Sequence, residues 1–123
     1  MPKPILLPDK WYAFRIAKGA TMDSPGIYEW RIKGVGSYIG KYSQFPRRVK
    51  MYALNVRNRL AGKPHRKSKP DGYRRIHCEL AEAVQSGIAI TLIILENPPP
   101  GEIDRREREL ISELGTLNGP RIE

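Results

Sequence analysis

The run from Ile88 to Leu95, IAITLIIL, constrains the fold more than any other part of the chain. It is β-branched and almost continuously apolar, and Gly87 before it and Pro98 to Pro100 after it trim it to strand length. Such a segment is expected as a central strand buried on both faces. At 123 residues the chain supports one core of ordinary size, so function sits on a single scaffold or at a subunit interface.

Other elements follow from periodicity. Between Gly26 and Lys33, Ile27, Glu29, Arg31 and Lys33 alternate with Tyr28, Trp30 and Ile32; Gly34 and Gly36 mark a tight turn before Ser37 to Gly40. That pattern predicts a β-hairpin. After Ser43, read as a helix cap, Val49, Tyr52, Ala53, Val56 and Leu60 share one helical face, and Gly62 and Pro64 close the helix. A second helix carries Ile76, Leu80, Ala83 and Val84 and ends at Gly87. A third runs from Gly101 to about Leu114, with Gly115 ending it. Residues 1–24 form an N-terminal arm whose Pro2, Pro4 and Pro8 oppose a helix, while Trp11 to Ile16 (WYAFRI) suits an added strand. The fold class is therefore α+β: a small, mainly antiparallel three-stranded sheet flanked by helices, in the order hairpin, helix, helix, strand, helix. The arm adds an extra N-terminal strand, and the domain itself spans residues 25–123.

Charge bears on function. The net charge of +9 comes from one stretch, Lys41 to Arg75, which holds twelve Lys or Arg against the single acid Asp71. That is the electrostatic footprint of a polyanion partner such as nucleic acid. Arg47, Lys50, Arg57, Lys63, Arg66, Lys67, Lys69, Arg74 and Arg75 are the expected contacts. Ile88 to Leu95 is too short to span a bilayer, and MPKPILLPDKW has too short an apolar run and too many prolines for a secretory signal. The expectation is a cytoplasmic protein with no membrane partner. Cys78 stands alone, which excludes an internal disulfide and a cysteine zinc site, and between Ile76 and Leu80 it reads as a structural thiol. His65 and His77, without spaced carboxylates, make no metal site.

One residue of the third helix breaks its pattern. Ile103, Leu110, Ile111 and Leu114 define a buried stripe, and Glu107 takes the i+4 slot of that stripe while Arg105, Arg106 and Arg108 point elsewhere. A carboxylate aimed inward must be protonated, paired with a cation or bound to a metal, because burying it unmatched costs several kcal/mol. On these residues alone, a salt bridge to an arginine and a functional role stand level.

The triplets Gly26-Ile27-Tyr28 and Tyr38-Ile39-Gly40, set at hairpin spacing, resemble the paired motif of the GIY-YIG nuclease family. Arg48 matches the arginine that the family presents on the helix after the hairpin. YIGKYSQFPRRVKMY is similar to the form found in the nuclease subunit of bacterial nucleotide excision repair, with Lys41 after YIG and Tyr52 four residues after the arginine. Glu107 matches the glutamate of a late helix, and Asn118 the terminal asparagine. The resemblance covers residues 25 to 119.

The resemblance implies a DNA endonuclease that hydrolyses phosphodiester bonds by a one-metal mechanism, with Mg²⁺ or Mn²⁺ as cofactor and Glu107 as its protein ligand. Tyr28 is then the candidate general base and Tyr38 a positioning group for water or phosphate. Arg48 would grip the phosphate in bidentate fashion, Lys41 neutralise charge, and Tyr52 share the helical face of Arg48. Asn118 would orient the glutamate or a bound water. One site makes one nick per binding event, so cutting both strands calls for a homo-oligomer, additional protein subunits or a second visit, and the apolar arm is the candidate interface. A nucleic-acid-binding module with the same fold and no cleavage would explain the charge but gives no reason for an inward carboxylate.

Overall fold

The structure, a computed structural model, describes residues 6–65 and 72–119; Arg66, Lys67 and Lys69 of the basic stretch lie outside the described residues. Four strands and three helices follow one another as β1 (Ala13–Ile16), β2 (Gly26–Ile32), β3 (Gly36–Tyr42), α1 (Phe45–Leu60), α2 (Arg75–Ser86), β4 (Ile90–Glu96) and α3 (Ile103–Leu114), with a single 3-10 turn at Pro100–Glu102 leading into α3. The sheet runs β1-β4-β2-β3. β2 is antiparallel to both β3 and β4, and β1 lies parallel to β4.

The order of elements is the one expected, and the expected extra strand brings the mainly antiparallel sheet to four strands; the sheet is mixed because that strand pairs in parallel. WYAFRI does add a strand over its last four residues, and it runs parallel to its neighbour. Parallel pairing needs a long crossover, which here is the whole hairpin and both helices between Ile16 and Ile90. β4 is central, and Ile90, Leu92, Ile93 and Ile94 are all buried. The arm is fastened at its other end too: Trp11 stacks on Trp30 with centroids 5.2 Å apart, and the Asn97 side chain accepts from the Thr21 N–H at 2.7 Å and donates to the Ser24 carbonyl at 3.0 Å. A Cβ on Gly26 would lie 2.6 Å from the Asn97 Nδ2, so the first glycine of the hairpin is required by this crossing.

Strand alternation divides the side chains between two unequal layers. Tyr28, Trp30 and Ile32 join Tyr52 and Val56 of α1, Ile76 and Leu80 of α2, and Leu92 and Ile94 in the main core. On the opposite face Ile27 and Ile39 meet Leu110, with Leu95, Ile103 and Ile111 around them, under α3. Two local expectations are corrected. Ser43 is not the cap of α1: Gln44 holds the extended N-cap position and Pro46 sits in the first turn, where its fixed φ fits and its missing N–H costs no hydrogen bond. Leu114 is not on the buried stripe of α3; it is 41 % exposed, because the helix has passed the edge of the small layer it covers. Among the described residues no helix is long and apolar enough to cross a membrane.

Candidate active site

The two tyrosines of the hairpin share a face but differ in depth. Tyr28 is cross-strand to Gly40, and a Cβ on Gly40 would come within 2.4 Å of the Tyr28 ring. The ring occupies the space that glycine leaves open. This places the Tyr28 hydroxyl 2.5 Å from that of Tyr52 on α1, both side chains being buried. Burial pushes the Tyr28 phenol above its ordinary value, although its bond to Tyr52 and the charge of Arg48 work against this, and burial raises Tyr52 likewise. A general base needs the opposite shift. In the protein alone the Tyr28 phenol is thus held neutral with its hydroxyl engaged by Tyr52, and its expected role as general base calls for a cation close by to lower it. Tyr38 is cross-strand to Trp30 on the same face, half-buried, and its hydroxyl has no hydrogen bond among the described residues.

Three depressions adjoin along this side. The first lies between Ser43, Arg47 and Arg48 at the start of α1. The second opens between Arg48 and Tyr52 of α1 and Arg74 and His77 at the start of α2. The third opens between Arg74, Tyr38 and Asn118. Arg48 borders the first two and Arg74 the last two, so the three form a continuous trough from α1 to the β3 edge of the sheet. Arg48 is half-buried, and its guanidinium makes no hydrogen bond or ion pair among the described residues. It lies close enough to favour the ionised forms of Tyr28, Tyr52 and Glu107 alike.

Glu107 projects from the middle of α3, half-buried, and it too has no hydrogen bond or ion pair among the described residues. Burial raises its carboxyl above the ordinary value and the adjacent Asp104 adds to this, whereas Lys41, Arg108 and Arg48 oppose it. The salt bridge to an arginine, one of the two readings open for it, is not made among the described residues. Arg105 pairs with Glu102 and Glu109, and Arg106 with Glu96 and Glu109. Lys41 is held on the α3 side by Asp104, with Nζ 2.5 Å from its carboxylate, and that bond raises the lysine above its ordinary value. A second carboxylate on this face, Glu29, is buried and matched: the Arg31 guanidinium donates two hydrogen bonds to it at 3.1 Å and the Ser37 hydroxyl a third at 2.6 Å. No group of three or more metal-ligating side chains occurs among the described residues.

Asn118 comes to the site edge but does not reach Glu107. Its Oδ1 accepts from the Ile39 N–H and its Nδ2 donates to the Ile39 carbonyl, both at 2.8 Å, so the amide acts as a strand partner for β3. Both of these amide hydrogen bonds go to Ile39, and none goes to the glutamate that it is expected to orient in one of its two readings. A Cβ on Gly115 would sit 2.5 Å from that Oδ1, and this close approach accounts for the glycine.

The basic residues disperse along α1 and α2. Arg47 and Lys50 share a depression at the start of α1. Arg57 lies in the last turn of the same helix, where a cation also complements the helix dipole, and Lys63 is exposed just beyond it. Arg74 is exposed on the trough, and Arg75 is engaged by Glu79 within α2. Two histidines outside the expected catalytic set also line the trough: His77, buried, and His65, which the basic loop around it marks as a contact for phosphate or solvent. His77 follows Ile76 on the apolar side of α2, and nothing in that pattern separates it from a packing residue. Compared with known proteins, the chain matches no family model, no curated protein and no solved structure.

Proposed function

We propose that the chain is a divalent-metal-dependent DNA endonuclease of the GIY-YIG kind, hydrolysing a phosphodiester bond held between Arg48 and Glu107. The observation that carries this reading is the pair Arg48 and Glu107. Both are half-buried ions of opposite sign, both lack a hydrogen-bond or ion-pair partner among the described residues, and the charge of Arg48, after those of Lys41, Asp104 and Arg108, reaches Glu107. Partly desolvated charges left unmatched cost free energy that a folded protein recovers when a ligand completes them. A phosphate would complete Arg48, and a cation Glu107.

Glu107 fits a hard ion such as Mg²⁺ or Mn²⁺. Mg²⁺ keeps several waters and takes one or two carboxylates together with substrate phosphate, so it needs no cage of protein ligands. When bound, the ion supplies Lewis-acid polarisation of the phosphate. The planar fork of Arg48 binds two phosphate oxygens and steadies the charge that gathers on them as water attacks phosphorus. We assign Tyr38, whose hydroxyl is unpaired among the described residues and borders the trough, to take the proton of that water in place of Tyr28, whose hydroxyl is engaged by Tyr52. Tyr28 and Tyr52 hold the floor of the site. Lys41, tied to Asp104, contributes positive charge on the α3 side.

DNA is the expected polymer, held by Arg47, Lys50, Arg57, Lys63 and Arg74. Supercoiled plasmid incubated with the protein and Mg²⁺ should be nicked, and chelation should stop it. Salt-sensitive binding without nicking would instead make the chain a binding module. Replacing Arg47, Lys50 and Arg74 together by alanine should reduce the salt slope of binding by about one for each phosphate that is no longer neutralised. An unchanged slope would move the DNA surface elsewhere.

A further inference from the structure

We infer that the middle depression of the trough is a separate phosphate pocket, which holds a phosphate of the nucleic-acid strand next to the one that is cut. Its volume is about 200 Å³. Arg48, Arg74, His65 and His77 line it, and among the described residues no carboxylate does. Four groups able to donate hydrogen bonds to an anion line the same space, and none of the described residues there would repel one.

His77 has one nitrogen committed and one open. It is 7 % exposed, and its Nδ1 accepts a hydrogen bond from the Arg74 backbone N–H at 3.2 Å, closing the first turn of α2. Nδ1 must then carry the lone pair, and the proton of the neutral ring is on Nε2. No hydrogen bond engages that Nε2 among the described residues. Burial, with Arg74 and His65 nearby, holds the imidazole at about 4, so near neutral pH it is a fixed neutral donor rather than a cation. The His65 Nδ1 is likewise buried without a partner among the described residues. Both rings are braced by aromatic neighbours: His65 lies 5.0 Å from Tyr73, and His77 5.6 Å from Tyr52. The pocket also sits at the N-terminal end of α2, the positive end of the helix dipole. A donor on a buried ring, an orphaned ring nitrogen, two guanidinium groups and a helix start converge on one cavity, and a tetrahedral oxyanion satisfies them together.

The pocket rests on the proposed function only for the neighbouring cut, so its test is run without metal and on Glu107→Gln protein. Inorganic phosphate is titrated at constant ionic strength while the imidazole NMR signals of His65 and His77 are followed. Saturable shifts of both rings are expected, with affinity at least tenfold weaker in the Arg74→Ala protein and about fivefold weaker in His77→Phe. Arg74 is exposed, so its variant tests the pocket even if His77→Phe fails to fold. An absence of shifts, or shifts indifferent to Arg74→Ala, overturns the pocket. Short oligonucleotides with and without a 5′-phosphate then identify the source. Tighter binding of the phosphorylated strand supports a terminal phosphate, equal binding that still weakens in Arg74→Ala supports an internal one, and binding indifferent to Arg74→Ala overturns both. A protein that binds phosphate but never nicks plasmid would end the cutting proposal and leave the pocket standing; one that nicks without responding to phosphate would do the reverse.

Discussion

Glu29 and Glu107 lie on the same side of the sheet, and the protein treats them in opposite ways. Glu29 is buried and has the Arg31 fork and the Ser37 hydroxyl on its carboxylate. Glu107, half-buried on α3, has no hydrogen bond or ion pair among the described residues, although Arg105, Arg106 and Arg108 flank it on the same helix and the charge of Lys41 reaches it from β3. Arg105 and Arg106 pair with Glu96, Glu102 and Glu109 instead. The same contrast recurs on the other side of the sheet, where Tyr28 is closed against Tyr52 and Arg48 beside them is left open. A matched polar group near the core reads as architecture. An unmatched one beside a trough reads as a place where something binds.

The contrast breaks most easily at Glu29. Arg31→Ala should destabilise the protein by about 3 kcal/mol, the lower end for stranding a buried charge because Arg31 is itself half exposed. A denaturant melt checks this, and a loss too small to measure would mean that Glu29 is no better matched than Glu107.

His77 tests a group that is only half matched, through Nδ1. Its folded value of about 4 lies below the ordinary 6.5, so in that interval the unfolded chain binds the extra proton and stability falls as the pH falls. The loss should begin below 6.5, reach about 3 kcal/mol near pH 4, and be absent above 6.5. His77→Phe should flatten this part of the stability profile. An unchanged profile in the variant would place the acid sensitivity on another group.

Gly40→Ala forces the Tyr28 ring away from β3 and should cost about 2 kcal/mol by overpacking. Combining it with Tyr28→Leu should recover part of the loss, since the smaller side chain gives the new methyl room; a strictly additive double variant would show that the two positions do not press on each other. At the small end, Asp104→Asn removes an exposed ion pair and should leave the melting curve unmoved. A clear drop there would mean that the α3 side is held by its surface charges more than by Ile27, Ile39 and Leu110.

Much of this architecture is legible in the order of residues, for reasons that also explain what is not. Ile88 to Leu95 reveals a central strand because burial on both faces leaves no room for polar alternation. The hairpin is legible because period-two alternation and its glycines are local facts. The parallel direction of β1 is not local, since nothing in WYAFRI says which strand it will meet. Glu107 is visible as a flaw in a helical stripe, but its depth is set by how far α3 overhangs a layer of only a few side chains. Leu114, on the same stripe, ends up in solvent for the same reason. Tyr28 and Tyr38 face the same side of the sheet, yet Tyr28 stands on the inner strand β2 and Tyr38 on the edge strand β3, a difference set by the strand order and not by the motif. The amide of Asn118 meets Ile39 only after the chain has returned past the end of α3. His77 is hidden because a buried histidine on an apolar stripe carries no sign of what its second nitrogen faces.

The central claim is that Glu107 is unmatched because it awaits a cation. Glu107→Gln keeps the shape of the side chain and removes the charge, so the most direct measurement is plasmid nicking by this variant beside its thermal melt with and without Mg²⁺. The variant is predicted to be at least as stable as the wild type without metal, since an amide costs less to bury than an unmatched carboxylate. It should also lose the stabilisation by Mg²⁺ that the wild type shows, nick more slowly by orders of magnitude, and still bind DNA. A well-folded Glu107→Gln protein that nicks plasmid at the wild-type rate would contradict the claim.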